Sequence, residues 1–598
     1  MTAGVTGPDG PDRALSGLDE RQREAAVALR GPVRVLAGAG TGKTRVITHR
    51  IAHGVDTGAF SPQRVMALTF TTRAAGEMRG RLRALGIDGV QARTFHSAAL
   101  AQVNYFWPVV AGGESAPPIV PNKVRVLADA AVAARRDLDT ATLRDLAADI
   151  EWRKVAMISI EAYARLGRPG IGRLGGDDVV ELHAAYERLK DERRQLDFED
   201  ILLVCAGMME SEPRVARAVH EQYRHFTVDE YQDVSPLQQR LLELWLGSRD
   251  DICVVGDASQ TIYSFAGADP RFLLEFERRH PDATLVRLER NHRSSDDVLG
   301  AANTLMRGRP GALSLVAAGA EAPARMDAEG IAVSVHPTDE AEARDVARSI
   351  RTAIDRGARA DQFAVLYRLH AQSAMLQTAL AAEGVPTTVL GGRRFFDLPE
   401  VREAVMMLRG ESVARPRGDL VDAVRDVLRS LGQSPEPPDA AGALRDAWEA
   451  RAAIARLAEA APPETTLRAF TDDLAARAKD QHEPERQTVT LATLHAAKGL
   501  EWDHVRIVGL AEGLLPISYA RGIEQADEER RLLYVGLTRA RRTASLSWSL
   551  RGERGEREPS RFLAELGTRT ARAAGAPGSA SSRPSAARSH ARGPRPPR

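Results

Sequence analysis

The sequence predicts an α/β protein built on parallel sheets, and three features predict it. The apolar run Pro32–Leu36 enters a glycine-rich loop and then the helix-forming stretch Arg45–Ile51. A second apolar run, His225–Val228, ends in Asp229-Glu230, and a third, Ile252–Val255, ends in Gly256-Asp257-Ala258-Ser259-Gln260. Strands that alternate with helices and carry polar residues at their C-terminal ends belong to α/β sheets, which bind ligands at that edge.

The first loop reads Ala37-Gly38-Ala39-Gly40-Thr41-Gly42-Lys43-Thr44. Small residues let backbone N–H groups close around phosphate oxygens at the positive end of a helix. Lys43 would reach the β- and γ-phosphates, and the Thr44 hydroxyl would complete a Mg²⁺ shell. Ala37 stands where the usual pattern has glycine. With six lysines in 598 residues, a chance match is expected in about one such chain per hundred. The flanking strand and helix argue against a mere glycine-rich turn, so this is a nucleoside triphosphate site. Asp229, on the second strand, would hold Mg²⁺ through water, and Glu230 would orient and deprotonate the attacking water. Gln260, at the tip of the third strand, could sense the γ-phosphate.

Length and composition bound the rest. A chain of 598 residues exceeds one core and implies about three or four domains. No apolar run approaches the ~18 residues of a membrane span, and no signal peptide is evident, so a cytoplasmic protein without a membrane partner is expected. Cys205 and Cys253 are the only cysteines, too few for a disulfide framework or a zinc site, and both are expected to be buried thiols. Net charge is +1, with 76 arginines against six lysines. Residues 568–598 hold seven arginines and no carboxylate, which leaves −6 on the body. Nucleic-acid contact would therefore need a local groove. The arginine-rich tail and residues 1–17 are expected to be disordered.

The order of further segments resembles superfamily 1 helicases of the UvrD, Rep and PcrA type. Leu18–Ala25 looks like the Q motif, whose glutamine, here Gln22, recognises adenine. Thr69–Met78 and Thr94–Ser97 are similar to DNA-contacting segments, and Gly256–Ala268 to the segment coupling nucleotide state to base stacking. Leu288–Ser294, Thr493–Trp502 and Glu528–Ala540 complete the series. The resemblance implies two RecA-like P-loop parallel-sheet domains, 1A and 2A, each with a helical insertion, 1B and 2B. The boundaries expected are 18–102 with 196–285 for 1A, 103–195 for 1B, 286–398 with 487–567 for 2A, and 399–486 for a reduced 2B.

By the same resemblance Arg293 and Arg539 offer bidentate cations to the γ-phosphate from the second lobe, a task for which guanidinium suits better than ammonium. Glu501 would accept from the ribose, while Arg45 and His292 sandwich adenine. Phe70, Tyr263 and Phe265 are the candidate stacking platforms for single-stranded DNA. Thr94, His96, Arg368, Thr493 and His495 are the candidate backbone contacts. Stacking of this kind contributes roughly 1–3 kcal/mol per base and tolerates any sequence.

Several residues depart from the commoner pattern. Phe265-Ala266 replaces Trp-Arg, a smaller platform without a neighbouring cation. His292 replaces a tyrosine, and a histidine can carry charge near neutral pH. Gln260–Phe265, Glu151-Trp152 and Leu491–Lys498 resemble an actinobacterial branch of the family. Members of that branch often continue into a helical HRDC domain and a four-cysteine module. Here the chain runs into its Arg/Pro/Ser-rich tail, with no cysteine after Cys253, so neither module is expected.

The function implied is an ATP- and Mg²⁺-dependent 3′→5′ DNA helicase and single-strand translocase in DNA repair or replication maintenance. Its partners would be single-stranded and 3′-tailed double-stranded DNA and repair proteins, and it would act as a monomer or weak dimer. A translocase that displaces proteins but needs a partner to unwind duplex, and a nucleotide-gated DNA-binding scaffold, are the alternatives.

Overall fold

The computed structural model describes residues 13–598 except 169, 320–329, 391–395, 397, 415–418, 436–442, 460, 481–486, 521, 553–554, 568–570 and 573–598. The expectations for residues 1–12 and for the tail beyond residue 572 lie outside the described residues.

Two parallel sheets organise the chain, as the α/β reading requires. The first contains β1 (Val33–Ala37), β2 (Val65–Thr69), β3 (Gln91–Thr94), β4 (His225–Val228), β5 (Ile252–Gly256) and β6 (Thr284–Leu288), in the order β3-β2-β4-β5-β1-β6. Every neighbouring pair is parallel, with Val35 facing Val255 on one side and Val286 on the other. β1, β2, β4 and β5 are buried along their whole length. This follows from helices covering both faces and explains why these strands read as continuous apolar runs. The parallel order brings the C-terminal ends of β1, β4 and β5 side by side, and there the glycine-rich loop, Asp229-Glu230 and Gln260 converge.

A short parallel ladder of β7 (Arg290–Asn291) and β8 (Val316–Ala317) lies between the sheets in sequence. The second sheet contains β9 (Ala332–Thr338), β10 (Phe363–Tyr367), β11 (Thr387–Val389), β12 (Val489–Thr493), β13 (Trp502–Ile507), β14 (Ala540–Gly552), β15 (Gly555–Glu556) and β16 (Ala571–Arg572). Its order is β11-β12-β10-β13-β14-β9-β16, with β15 folded back antiparallel on β14.

Each lobe carries a helical insertion with its own core. In the first, the helices Lys123–Ala133, Thr140–Val155, Ile160–Arg165 and Gly176–Glu192 pack around Leu127, Leu146, Ile150, Leu182 and Tyr186. Its base is ionic. Lys154 and Lys190 are both buried against Asp197 and share Asp200 as well, while Lys123 pairs with the buried Glu199. In the second, Pro399–Ala414, Leu420–Ser430, Ala443–Glu459 and Leu467–Asp480 enclose Val401, Leu408, Val424, Ile454, Phe470 and Leu474. The last of these helices touches the Thr72–Ala84 helix of the first lobe.

One expectation is corrected at the N-terminus. Residues 13–17 belong to the segment read as a disordered leader, yet Arg13–Leu15 forms a turn of 3₁₀ helix with Ala14 and Leu15 buried. It packs on the Lys43–Asp56 helix, where the Ala14 carbonyl meets His49 Nδ1 at 2.5 Å. Two apolar side chains with a partner surface were enough to order it. Both cysteines are free and buried. No helix among the described residues is long and apolar enough to cross a membrane.

Candidate functional site

The phosphate loop closes by glycine geometry. Gly40 and Gly42 adopt φ of +69° and +85°, a region that costs L side chains and leaves glycine unpenalised. Gly42 is the N-cap of the Lys43–Asp56 helix and offers no side-chain cap, so the first N–H groups remain available to an anion. A Cβ on Gly40 would stand 2.4 Å from Asn291 Nδ2 and 2.9 Å from Arg293 Cβ. The loop is thus grasped by residues that follow β6, and Asn291 Nδ2 donates to the Ala39 carbonyl at 2.6 Å.

At the rim, Asp19 and Gln22 form a capping box. This fixes Gln22, 1% exposed, so that its Nε2 donates to the Thr41 carbonyl at 2.9 Å. His292 Nε2 lies 3.1 Å from Asp19 Oδ2 and 3.5 Å from Gln22 Nε2. The Arg45 guanidinium is anchored on the Gly17 carbonyl at 2.7 Å. The structure therefore gathers Gln22, Arg45 and His292 on one edge of the loop spanning Ala37, Gly38, Ala39, Gly40, Thr41, Gly42, Lys43 and Thr44.

The carboxylates sit beneath it. Thr44 Oγ1 is 3.4 Å from Asp229 Oδ2, and Lys43 Nζ is 3.3 Å from Glu230 Oε1. A hydroxyl and a carboxylate so close form a hard-oxygen pair that suits Mg²⁺. Burial and then the adjacent Glu230 push Asp229 up to about 7. For Glu230 burial opposes ionisation, but Lys43 and Lys498 outweigh it and hold the carboxyl down to about 2. Glu230 also has φ of +52°, a strained conformation for a non-glycine residue at the end of a strand. Gln260, 3% exposed, donates through Nε2 to Asp257 Oδ2 at 2.7 Å.

The second lobe contributes cations across the cleft, from the turn after β7 and the turn before β14. Arg293 pairs through Nε with Glu501 and donates through Nη1 to the Thr538 carbonyl at 3.3 Å. Glu501 is shared with Arg541 at 2.6 Å, so neither Arg293 nor Glu501 is uncommitted. Arg539 is different. It is 2% exposed and donates only to neutral acceptors, Val535 O, Leu500 O and Thr538 Oγ1, at 2.9, 3.2 and 3.2 Å. Among the described residues no carboxylate pairs with it. Burial, and then Arg293, lower its pKa to about 9.

A second constellation lies on the same edge of both sheets. The Phe70 and Tyr263 rings are nearly parallel, 6° apart in plane with centroids 5.9 Å apart. Phe265, 65% exposed, stands edge-on to Tyr263 and to His495. A cavity of about 1210 Å³ opens beside them, lined by Trp152, Phe265, Arg368, Thr493, His495 and Tyr519 among others. Burial, then Arg368 and Lys498, hold His495 near 4. His96 stacks on Phe198 at 3.8 Å and is likewise lowered to about 4, by burial and then Lys123.

Three of the candidate backbone contacts are engaged within the protein. The Thr94 and Thr493 hydroxyls accept from the Ser97 and Ala496 amides. Arg368 makes three hydrogen bonds to Glu529, with both side chains largely buried.

The profile of the UvrD/REP helicase N-terminal domain matches residues 18–281. That of the UvrD-like helicase C-terminal domain matches residues 286–413 and 447–551. The chain is 46% identical over 589 residues to a protein of Mycobacterium tuberculosis named ATP-dependent DNA helicase UvrD2, covering 94% of this chain and 83% of the relative. The chain belongs to the UvrD/REP helicase family.

More distant relatives include ATP-dependent DNA helicase PcrA of Bacillus subtilis, 28% identical over 93% of this chain and 86% of the relative. DNA helicase II of Escherichia coli is 29% identical over 92% and 88%. Within this UvrD/REP helicase the structure adds residues that the sequence reading passed over. Asn291 and Tyr534 tie the second lobe to the phosphate loop and to Asp257. Lys498 reaches Asp233 and the Gln260 carbonyl. The available signal was scarcity: of six lysines, Lys43, Lys123, Lys154, Lys190 and Lys498 all lie in ion pairs with side chains at most 16% exposed.

Proposed function

We propose that the protein is an ATP-dependent DNA helicase that moves 3′→5′ along single-stranded DNA, in DNA repair or replication maintenance. The observation that carries this reading is Arg539, a buried guanidinium that no carboxylate pairs with among the described residues, supplied by the second lobe and within the electrostatic reach of Glu230 in the first. A cation held in that state has its natural counter-charge in an anion bound between the lobes, and a triphosphate at the Lys43 loop is such an anion.

Thr44 and Asp229 would hold Mg²⁺, which supplies neutralisation of the β- and γ-phosphate oxygens. Glu230, ionised and aligned by Lys43 and Gln232, takes the proton of the attacking water. Arg293 exchanges Glu501 for the γ-phosphate and, with Arg539, stabilises the charge that develops on it. Gln22 reads the adenine edge, with Arg45 and His292 against its faces. Closure of the lobes on ATP and reopening after hydrolysis would step Phe70, Tyr263 and Phe265 past successive bases.

Strand displacement on duplexes tailed at either end tests the reading. Displacement from the 3′-tailed substrate that requires ATP and Mg²⁺ is the expected result. Displacement only from the 5′-tailed substrate refutes the polarity, and no nucleotide-dependent displacement on either refutes unwinding.

A further inference from the structure

Lys498 occupies a position unlike that of any other cation in the cleft. It lies just after β12, in the second lobe, yet its ammonium pairs with Asp233 of the first lobe. The same Nζ donates to the Gln260 main-chain carbonyl at 2.8 Å and sits 4.9 Å from the centre of the Tyr263 ring. It is 9% exposed and Asp233 is 1% exposed at the side chain. Asp233 Oδ1 has no hydrogen-bond partner and is shielded from solvent, and among the described residues Lys498 is the only cation paired with this carboxylate. Gln232 Nε2 in turn bridges Asp233 and Glu230 at 3.3 and 2.5 Å. A continuous polar path thus runs from the hydrolytic carboxylate through Asp233 and Lys498 to the aromatic ring that faces Phe70.

The residue type fits the geometry. A compact ammonium with rotatable donors can meet a carboxylate, a carbonyl and a ring face in three directions, which a planar guanidinium fork cannot do. In a chain with 76 arginines and six lysines, the lysine here runs against the composition of the rest.

We propose that Lys498 is the positioning residue that couples the two sites: lobe closure seats its ammonium on Asp233, Gln260 and Tyr263 together, so nucleotide state sets the geometry of the DNA-stacking ring. This inference rests on the helicase reading. Separation of the lobes would withdraw from the buried Asp233 carboxylate the one cation paired with it among the described residues, which opposes opening.

The test is a double-mutant cycle of Lys498→Met and Asp233→Asn in the full-length chain. Affinity for a fluorescein-labelled oligo(dT) is measured by anisotropy with and without a non-hydrolysable ATP analogue, alongside ATPase with and without the same oligonucleotide. The expected result is a loss of about tenfold in the nucleotide-induced change of DNA affinity and in DNA stimulation of turnover. DNA affinity without nucleotide stays within about threefold, and the double variant is no worse than either single one. Asp233→Asn leaves the Lys498 ammonium without its counter-charge and Lys498→Met leaves the Asp233 carboxylate so; the double variant strands neither, so it reports coupling even if a single variant folds poorly. Additive effects, or an unaltered nucleotide response in Asp233→Asn, overturn the proposal. A parent protein lacking any DNA-stimulated turnover overturns the helicase reading itself, and the coupling with it.

Discussion

Replacing Arg539 by methionine separates the fold from the chemistry. The side chain is buried and its guanidinium is held down to about 9. From an ordinary value of 12.5, that displacement is worth ~5 kcal/mol against the charged form. A cation whose folded pKa is depressed carries this penalty at every pH below the folded value, so it is fully present at pH 7 and relieved only as pH rises beyond about 9. Opposing it are the hydrogen bonds to Val535, Leu500 and Thr538, at ~1.5 kcal/mol each. The terms nearly cancel, and methionine keeps most of the volume. Arg539→Met is therefore expected to change unfolding free energy by less than ~2 kcal/mol, measured by guanidinium denaturation. Over the same substitution kcat for DNA-stimulated ATP hydrolysis should fall by ~10³ or more. A variant that turns over within about tenfold of the parent refutes the assignment of Arg539 to the phosphate. Loss of more than ~3 kcal/mol of stability would instead make it a structural residue.

Further outcomes are expected at other residues. Glu230→Gln should reduce kcat by ~10³ or more with nucleotide affinity within about threefold, because the carboxylate is assigned to the water and not to ATP; equilibrium binding of a fluorescent nucleotide checks the second half. Asp197→Asn removes the most buried of the carboxylates that Lys154 and Lys190 share, leaving Asp200 and Glu187, and should cost ~1–3 kcal/mol in denaturation; since that carboxyl is depressed, the stability it confers exists above its unfolded pKa and is lost as pH falls below ~4. His495 is held near 4, so acid protonates the unfolded chain first, and stability should drop by up to ~3 kcal/mol between pH ~6.5 and ~4, a share that His495→Gln removes. Phe70→Ala should weaken binding of any single-stranded sequence by ~1–3 kcal/mol, whereas Arg368→Ala should lower stability and leave the salt dependence of DNA binding unchanged, because Glu529 already neutralises that guanidinium.

The nucleotide half of the site was legible because it is local. A strand, a glycine loop and a helix are contiguous, and the chemistry of Lys43, Thr44, Asp229 and Glu230 can be read from their places at strand ends. What crosses the chain was not legible. Arg368 meets its neutralising Glu529 from 161 residues away, and a motif position that looks like a phosphate contact cannot reveal that partner. The Lys498–Asp233 contact spans 265 residues and is set by how two sheets face each other, a property no window of sequence contains. The helix at Arg13–Leu15 was missed for the opposite reason: its surroundings are glycine- and proline-rich, and only the packing surface offered by the Lys43–Asp56 helix overrides them.

Two features of the cleft are unfavourable for folding, and they meet at one place. Glu230 holds a left-handed backbone that costs of order 1–3 kcal/mol, and Arg539 holds a buried charge that no carboxylate pairs with among the described residues. Glycine at position 230 would relieve the first and an apolar residue at 539 the second, so a chain shaped for stability alone would contain neither. On the proposed reading both would become favourable with a triphosphate and its attacking water between them, since the turn would aim a carboxylate at the water and the anion would complete the cation. On the proposed reading, stability forgone by these two residues would be recovered on closure around the nucleotide, and that difference would give ATP its leverage over the separation of the lobes.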